Sequence, residues 1–192
     1  MTAHAELARH RKTPLPTAAA ATAATAATAV TTHIDRPRPG DGPQLWRLAR
    51  DSRTLDLNSA YSYLLWCRDF AGTSAVARDP SGRAVGFVSG YLRPDSPGTL
   101  LIWQIAVDAS ARGQGIAGAL LDGLSARVAA EQGLSSLETT ISPDNRASQR
   151  LFASYAARHG ATLTREVLFT AEEFPNDGHA PEVLHRIGPL HF

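Results

Sequence analysis

Residues 103–118, WQIAVDASARGQGIAG, place an apolar strand directly before a turn of small residues that opens a helix. The first N–H groups of a helix have no partner within it and carry partial positive charge, so they bind anions. Gly113 and Gly115 let this backbone approach a phosphate closely, and Arg112 adds a formal positive charge. The segment predicts a phosphate-binding turn, with a purely structural strand-to-helix turn as the alternative.

Apolar periodicity along the rest of the chain predicts a mixed α/β domain without internal repeats. The predicted helices cover residues 44–50, a segment capped by Asn58 or Ser59, residues 116–131, and a segment from Pro143 to Gly160. The predicted strands cover residues 73–78, 84–92, 99–107, 134–141, 161–165 and 183–187. The residues expected on the buried face of the second helix are Tyr61, Leu64, Leu65 and Phe70.

Composition excludes several classes of protein. Hydrophobic residues make up 43% of the chain and charged residues 19%, which is typical of a globular domain. A formal net charge of +1 gives no support for a nucleic-acid partner. The single cysteine, Cys67, excludes a disulfide within the chain and a thiolate metal site, and it is in keeping with a reducing cytoplasm. No run of about 18 apolar residues is present that could span a membrane.

Residues 1–34 are dominated by alanine and threonine and predict a disordered, low-complexity tail. Residues 17–32 resemble a signal peptide only loosely, because they lack Leu, Ile and Phe and threonine interrupts them repeatedly. Residues 35–192 are therefore expected to form one domain, in a cytoplasmic protein without a membrane partner.

Two motifs together resemble the acetyl-CoA signature of the GNAT acetyltransferases. They are Arg-x-x-Gly-x-Ala at Arg112, Gly115 and Ala117, and NRASQRLF at residues 145–152. The resemblance implies acetyl-CoA as co-substrate without a metal, and a GNAT fold with a mixed central sheet of about six to seven strands flanked by about four helices. The residues it assigns to the co-substrate are Ile105, Val107, Arg112, Gly113, Gln114, Gly115, Ile116, Ala117, Gly118 and Asn145. Asn145 also fits a simple helix N-cap.

Further stretches resemble one family of that superfamily, the diaminobutyrate acetyltransferases of ectoine biosynthesis. They are LDLNSAYSYLL (55–65), VGFVSGY (85–91), WQIAV (103–107), SPDN (142–145) and HAPEVLHRIGP (179–189). The resemblance implies that acetyl-CoA and L-2,4-diaminobutyrate give the N4-acetyl product, which is the precursor of a compatible solute made under osmotic stress. It also suggests a homodimer.

A substrate with two ammonium groups and one carboxylate needs fixed anions that hold one amine while the other reacts. The residues assigned to substrate binding are Asp56, Tyr61, Trp103, Gln104, His179 and Glu182. Tyr61 and Trp103 are candidates to contact a cation through the ring face, and His179 is a candidate to orient the substrate or move a proton. The structural alternatives are a cap or turn for Asp56, core packing for the two rings and a solvated loop position for His179.

Glu138 and Tyr155 are the candidates for catalysis. Glu138 could take the proton of the amine through water, although it also fits an outward position on an alternating strand. A backbone N–H of residues 103–107 could stabilise the oxyanion. Many GNAT enzymes protonate the leaving thiolate with a tyrosine, but the matching position here is Phe152. Tyr155 could substitute for it, or the thiolate could leave unassisted; Cys67 has no identifiable base and is expected to be inert.

Two other functions remain open from the sequence. A GNAT enzyme could acetylate another small amine, a polyamine, an aminoglycoside or a protein N-terminus. A CoA-binding sensor could keep the phosphate-binding turn without any chemistry. The acidic and aromatic residues favour an enzyme over a sensor.

Overall fold

A computed structural model describes residues 32–175 and 180–192 as a seven-stranded mixed sheet packed against helices. The strands are β1 (His33–Asp35), β2 (Ala75–Arg78), β3 (Ala84–Arg93), β4 (Ser96–Val107), β5 (Ser136–Ile141), β6 (Thr162–Phe169) and β7 (Glu182–Gly188). The α-helices of these segments are α1 (Gly42–Ser52), α2 (Ala60–Asp69), α3 (Ile116–Gln132) and α4 (Arg146–Arg158). The strand order is β1-β2-β3-β4-β5-β7-β6, in agreement with the expected mixed sheet. None of the described helices is long and apolar enough to cross a membrane.

Helices cover both faces of the sheet, as the alternation along β2 shows. Val76 packs in one core together with residues of α1 and α2. Its neighbours Ala75 and Ala77 pack in a second core together with residues of α3 and α4. Successive strand residues point to opposite faces, so the two helix pairs lie on opposite sides of the sheet.

The sheet opens between its two central strands. β4 and β5 run parallel, and their pairing ends at Ile102 and Thr139. β4 nevertheless continues to Val107 and β5 to Ile141, while the other edge of β4 stays paired with β3 as far as Val107. One edge of β4 therefore faces the opening with main-chain N–H and C=O groups that β5 does not pair.

A β-bulge places Trp103 where this opening begins. Ser89 of β3 pairs with Gln104 of β4. The next residue, Gly90, pairs with Ile102, so Trp103 is an extra residue on β4. Such a bulge bends the strand and re-aims the side chain. Glycine is required opposite the bulge, because a Cβ on Gly90 would lie 2.5 Å from a main-chain oxygen of β4.

The strand boundaries differ from the sequence expectations most at β1, at β4 and at β6, which runs to Phe169 and not to residue 165. β1 is not predicted by the sequence; it pairs with β2 and includes His33 and Ile34, which precede the domain start expected at residue 35. Three residues beside a low-complexity run carry too little periodicity to predict a strand. β4 begins at Ser96, inside a segment expected to be a loop.

The predicted buried face of α2 is wrong. The helix buries Tyr63 and Cys67, whereas Tyr61 is 65% exposed. The other residues expected to be buried are exposed or half-buried: Leu64, Leu65 and Phe70. Large apolar side chains occur on several sides of this helix, so its periodicity alone does not select the face that packs on the sheet.

Candidate active site

The opening between β4 and β5 leads into a space of about 350 Å³, which we call the acidic cavity. Asp56 lines it from the loop between α1 and α2, Trp103 and Gln104 line it from β4, and Glu182 lines it from the start of β7. The fold thus brings together four of the six residues that the sequence assigns to substrate binding.

The described lining of the acidic cavity carries negative charge without a counter-ion. Asp56, Asp144 and Glu182 all line it, and among residues 32–175 and 180–192 their carboxylates make no hydrogen bond or ion pair. The lining residues in these ranges include no Arg, Lys or His. Unpaired carboxylates form short, charge-assisted hydrogen bonds with ammonium groups, so this lining suits a cationic group. Arg53 and Arg146 line an adjoining open space that shares Asp56 and Asp144, which suits the carboxylate of a ligand.

Both ends of the Gln104 amide are engaged inside the cavity wall. The side chain is 5% exposed; its Oε1 accepts a hydrogen bond from Tyr63 Oη at 3.0 Å, and its Nε2 donates to the main-chain oxygen of Asp56 at 2.8 Å. Burial raises the pKa of Tyr63. The phenol is therefore a neutral donor that holds the amide in one orientation.

Trp103 lines both the acidic cavity and a second cavity of about 400 Å³. Its side chain is 50% exposed, and its ring meets that of Trp66 edge to face, with ring centroids 4.9 Å apart. Trp103 is thus a cavity wall and not a core residue. Tyr61, on the outer side of α2, lines neither cavity.

Glu138 lines the second cavity and is a buried ion-paired residue, not an outward strand residue. Its side chain is 3% exposed; Arg93 Nη1 lies 3.1 Å from Oε2, and Arg186 Nε lies 2.7 Å from Oε1. Both carboxylate oxygens are therefore held by guanidinium groups. Trp103 and Thr140, which line both cavities, separate Glu138 from the acidic cavity.

A groove of about 280 Å³ adjoins the acidic cavity, and we call it the thioester groove. The predicted co-substrate residues that line it are Ile105, Val107, Arg112, Ala117 and Asn145. Thr54 and Asn145 also line the acidic cavity, so these two residues lie where the groove and the cavity adjoin.

The turn before α3 has a backbone that requires glycine. Gly113 and Gly115 have φ angles of 78° and 77°, in the left-handed region. A Cβ on either residue would meet no atom within 4 Å, so the requirement comes from conformation and not from crowding. Among residues 32–175 and 180–192, no atom crowds these two positions, and Arg112 Nε donates to the oxygen of Val107 at 3.2 Å, which holds a guanidinium beside the turn. The residues present fit a diphosphate.

The profile of the acetyltransferase (GNAT) family matches residues 42–156. L-2,4-diaminobutyric acid acetyltransferase of Streptomyces coelicolor is 68% identical over 157 residues, which are 82% of this chain and 92% of that protein. This chain belongs to the GNAT acetyltransferases, and within them to the L-2,4-diaminobutyric acid acetyltransferases. The relative of the same description from Nocardia farcinica is 56% identical, over 83% of this chain and 81% of that protein.

Solved structures show the same fold for this acetyltransferase. Diaminobutyrate acetyltransferase EctA from Paenibacillus lautus, in complex with its substrate L-2,4-diaminobutyric acid and coenzyme A, superposes with a TM-score of 0.79. It is 43% identical, and the match covers 85% of this chain and 98% of that one. Ard1 from Thermoplasma volcanium, at 24% identity and a TM-score of 0.66 over 83% and 99% of the two chains, shows the fold alone.

Tyr155 of this acetyltransferase does not lie at either cavity. Its ring is fully buried, its hydroxyl donates to Ser125 Oγ at 2.8 Å, and burial raises its pKa to about 12. A general acid must reach the leaving sulfur, so this position argues against the predicted role. Phe152 is buried in the same core. Burial also raises the pKa of the Cys67 thiol to about 12, as expected for an inert residue.

The remaining predicted co-substrate residues lie around the α3 turn and the start of α4. Ile116 is 3% exposed, so only its main chain is available to a ligand. Gly118 lines a shallow groove between α3 and α4 together with Gly115. Asn145 Oδ1 accepts the main-chain N–H of Ser148 at 3.0 Å, which makes it the cap of α4 as well as a groove residue. Gln114 lies between the two left-handed glycines.

Some residues that line these spaces are not predicted from the sequence, and one predicted residue lies outside the described ranges. Thr54 and Asp144 line the acidic cavity, and Ser148 lines the thioester groove, but the sequence analysis does not select them. Asp144 precedes Asn145 in the SPDN stretch, which is a usable signal; Thr54 lies in a loop without one. His179 lies outside the described residues.

Proposed function

We propose that this chain transfers the acetyl group of acetyl-CoA to the 4-amino group of L-2,4-diaminobutyrate, and that the N4-acetyl product serves ectoine synthesis. One observation carries the proposal: the thioester groove adjoins a cavity in which the carboxylates of Asp56 and Glu182 have no hydrogen-bond or ion-pair partner among the described residues. Relatives at up to 68% identity are named for this activity.

The charge of the acidic cavity matches the charge of such a substrate. Near neutral pH, diaminobutyrate carries two ammonium groups and one carboxylate, so it is a net cation. Since Asp56, Glu182 and Trp103 line one cavity, we propose that the two carboxylates bind one ammonium and that the face of Trp103 contacts a cation. The second amine then lies towards Asn145, where the cavity meets the thioester groove.

The reacting amine must first lose a proton, because its ordinary pKa is near that of lysine, about 10.4. We propose that water in the acidic cavity takes this proton, because Glu138, the acceptor expected from the sequence, is paired with Arg93 and Arg186 and lies behind Trp103. His179, three residues before Glu182 in the sequence, is proposed to orient the substrate.

The neutral nitrogen then attacks the thioester carbonyl, and an N–C bond forms. We propose that a main-chain N–H on the free edge of β4, beyond Ile102, stabilises the oxyanion. The C–S bond then breaks with its electron pair on sulfur, and the nitrogen releases its second proton to water. Tyr155 is too deeply buried to protonate this sulfur, so the thiolate leaves unassisted, in keeping with an ordinary thiol pKa of about 8.5.

A panel of amines tests the proposal. Purified protein and acetyl-CoA are combined with diaminobutyrate, ornithine, putrescine or 4-aminobutyrate, and thiol release and product mass are measured. We expect diaminobutyrate to exceed 4-aminobutyrate, which lacks the second ammonium, by at least about 100-fold in kcat/KM. Turnover of putrescine without turnover of diaminobutyrate would contradict the proposed substrate and favour a polyamine enzyme.

We further propose that the protein is a cytoplasmic homodimer that acts under osmotic stress. β6 lies at one edge of the sheet and exposes Val167, Leu168 and Phe169 at 58%, 39% and 45%. An exposed apolar edge strand supports association between copies of the chain. The single Cys67 is compatible with a reducing compartment.

A further inference from the structure

The loop that carries Asp56 has no helix or strand of its own between residues 53 and 59. Arg53 begins it with a φ of 57°, and Ser59 ends it as the N-cap of α2. Between these points, the main-chain oxygen of Asp56 accepts the hydrogen bond from Gln104 Nε2 at 2.8 Å. This bond ties the loop to β4 at the residue whose carboxylate lines the acidic cavity.

Tyr63 holds the other end of the Gln104 amide. Its Oη donates to Gln104 Oε1 at 3.0 Å. Tyr63 and Gln104 are 3% and 5% exposed, so water does not readily replace these bonds. Because Gln104 Oε1 accepts the hydrogen bond from Tyr63, Gln104 Nε2 faces Asp56.

We propose that Tyr63 is a positioning residue for the diamine, and that it acts through Gln104 on the main chain at Asp56. The inference rests on the proposed function, in which the Asp56 carboxylate binds an ammonium group. Tyr63 itself does not line the acidic cavity, so it affects the substrate only through this chain of hydrogen bonds. Gln104 then holds the wall of the cavity in place, whereas the sequence analysis assigns it to direct substrate binding.

The variant Tyr63→Phe removes only the hydroxyl and keeps a ring that packs edge-on to Phe87. We expect KM for diaminobutyrate to rise about tenfold, the usual effect of one lost buried hydrogen bond. We expect kcat and KM for acetyl-CoA to stay within about twofold, because the thioester groove is unchanged.

Ser125→Ala is the matched control, since it removes the partner of another buried tyrosine hydroxyl, that of Tyr155, away from both cavities. Both variants are expected to lower the unfolding temperature, but Ser125→Ala leaves KM for diaminobutyrate unchanged. Hydrogen exchange of residues 53–59 is expected to accelerate in Tyr63→Phe and not in the control.

A second variant keeps the test usable if Tyr63→Phe folds poorly. Gln104→Met removes both bonds of the amide at similar volume, and it is expected to raise KM for diaminobutyrate at least as much. The double variant with Tyr63→Phe should raise KM no further than Gln104→Met alone, because both changes act on one bond to Asp56.

The outcomes separate this role from the proposed function. An unchanged KM for diaminobutyrate in folded Tyr63→Phe or in Gln104→Met, or an equal rise in Ser125→Ala, would overturn the role of Tyr63 while the proposed function stands. Absence of diaminobutyrate turnover by the unaltered protein would overturn the proposed function and this role together.

Discussion

At the scale of single residues, carboxylates fall into two groups according to their partners. Asp56 and Glu182 line the acidic cavity without a partner among the described side chains. Glu138 is instead held by Arg93 and Arg186 behind Trp103. An unpaired carboxylate is free to bind an ammonium group, whereas a doubly paired one acts as a fixed internal charge.

Replacement of Asp56 by Asn, or of Glu182 by Gln, should weaken diamine binding selectively. Each change removes a charge partner of the ammonium, so KM for diaminobutyrate should rise at least about tenfold. KM for acetyl-CoA should change little, because neither residue lines the thioester groove. Steady-state kinetics with Asp95→Asn, an exposed residue of the β3–β4 turn, as the control checks this. Equal losses for both substrates would count against a role in amine binding.

Tyr155→Phe should retain most of the activity. The hydroxyl bonds Ser125 Oγ inside the core, so its removal should lower the free energy of unfolding by about 1 kcal/mol and leave kcat within about threefold. Rate measurements and thermal unfolding of the same preparation check both parts. A loss of kcat by a factor of about 100 or more at unchanged stability would restore the tyrosine as general acid.

At the scale of elements, the turn into α3 depends on backbone conformation. Gly113 and Gly115 are both left-handed, and the helix that follows begins at Ile116 with N–H groups that have no acceptor within the helix. A diphosphate bound there would be stabilised by these groups and by Arg112. The thioester groove begins beside the same turn, because Arg112 and Ala117 line it.

Gly115→Ala should therefore weaken acetyl-CoA binding. An alanine with positive φ is strained by about 1–2 kcal/mol, so the turn should relax away from the conformation that binds the diphosphate. KM for acetyl-CoA is expected to rise about tenfold, with KM for diaminobutyrate unchanged. Gly82→Ala is the matched control, since Gly82 has a φ of 84° in the β2–β3 hairpin and an added Cβ would also meet no atom. If KM for acetyl-CoA rose equally in Gly82→Ala, the rise in Gly115→Ala would come from lost stability alone.

The sequence predicts the elements wherever the signal is local. The strand–turn–helix segment at residues 103–118 combines periodicity, glycine and charge, and the structure has β4, the turn and α3 there. The buried face of α2 is not predictable in this way, because Tyr61 and Tyr63 are equally apolar candidates on different sides. Only packing against the sheet selects Tyr63.

Most of the candidate site depends on contacts between distant parts of the chain. Asp56 and Glu182 are predicted from a family resemblance, since no local pattern places a loop residue opposite the start of β7. The hydrogen bonds from Tyr63 through Gln104 to Asp56 depend on the bulge in β4, and sequence periodicity carries no information about that register.

At the scale of the whole molecule, one buried ion pair joins the N-terminal part of the chain to the sheet. Asp41 lies just before α1, and its Oδ2 is 2.8 Å from Arg78 Nη2 of β2. The side chains of Asp41 and Arg78 are 9% and 17% exposed. Burial by itself raises the pKa of Asp41. Hydrogen bonds from Arg78 and from the main chain of Arg38, with the charge of Arg78, outweigh it, so that the pKa is lowered.

This pair should make stability depend on pH. A carboxyl whose folded pKa is lowered contributes stability above its unfolded value, near 3.9, and loses it as the pH falls through the folded value. Asp41→Asn should lower the free energy of unfolding at pH 7 by about 3 kcal/mol and flatten its decline below about pH 4. Denaturant unfolding between pH 2 and 7 checks this, with Asp69→Asn in the exposed pair with Arg68 as control. If the free energy of unfolding of Asp41→Asn fell just as steeply in acid, the decline would come from other groups.

The most direct test is to determine which nitrogen of the product carries the acetyl group. Purified protein is incubated with acetyl-CoA and diaminobutyrate, and the product is identified by NMR while released CoA is counted. We expect one acetyl group on the 4-nitrogen for each CoA released, because in the proposed binding mode Asp56 and Glu182 hold the 2-ammonium beside the thioester groove. Acetylation only at the 2-nitrogen, or CoA release without an acetylated amine, would contradict it.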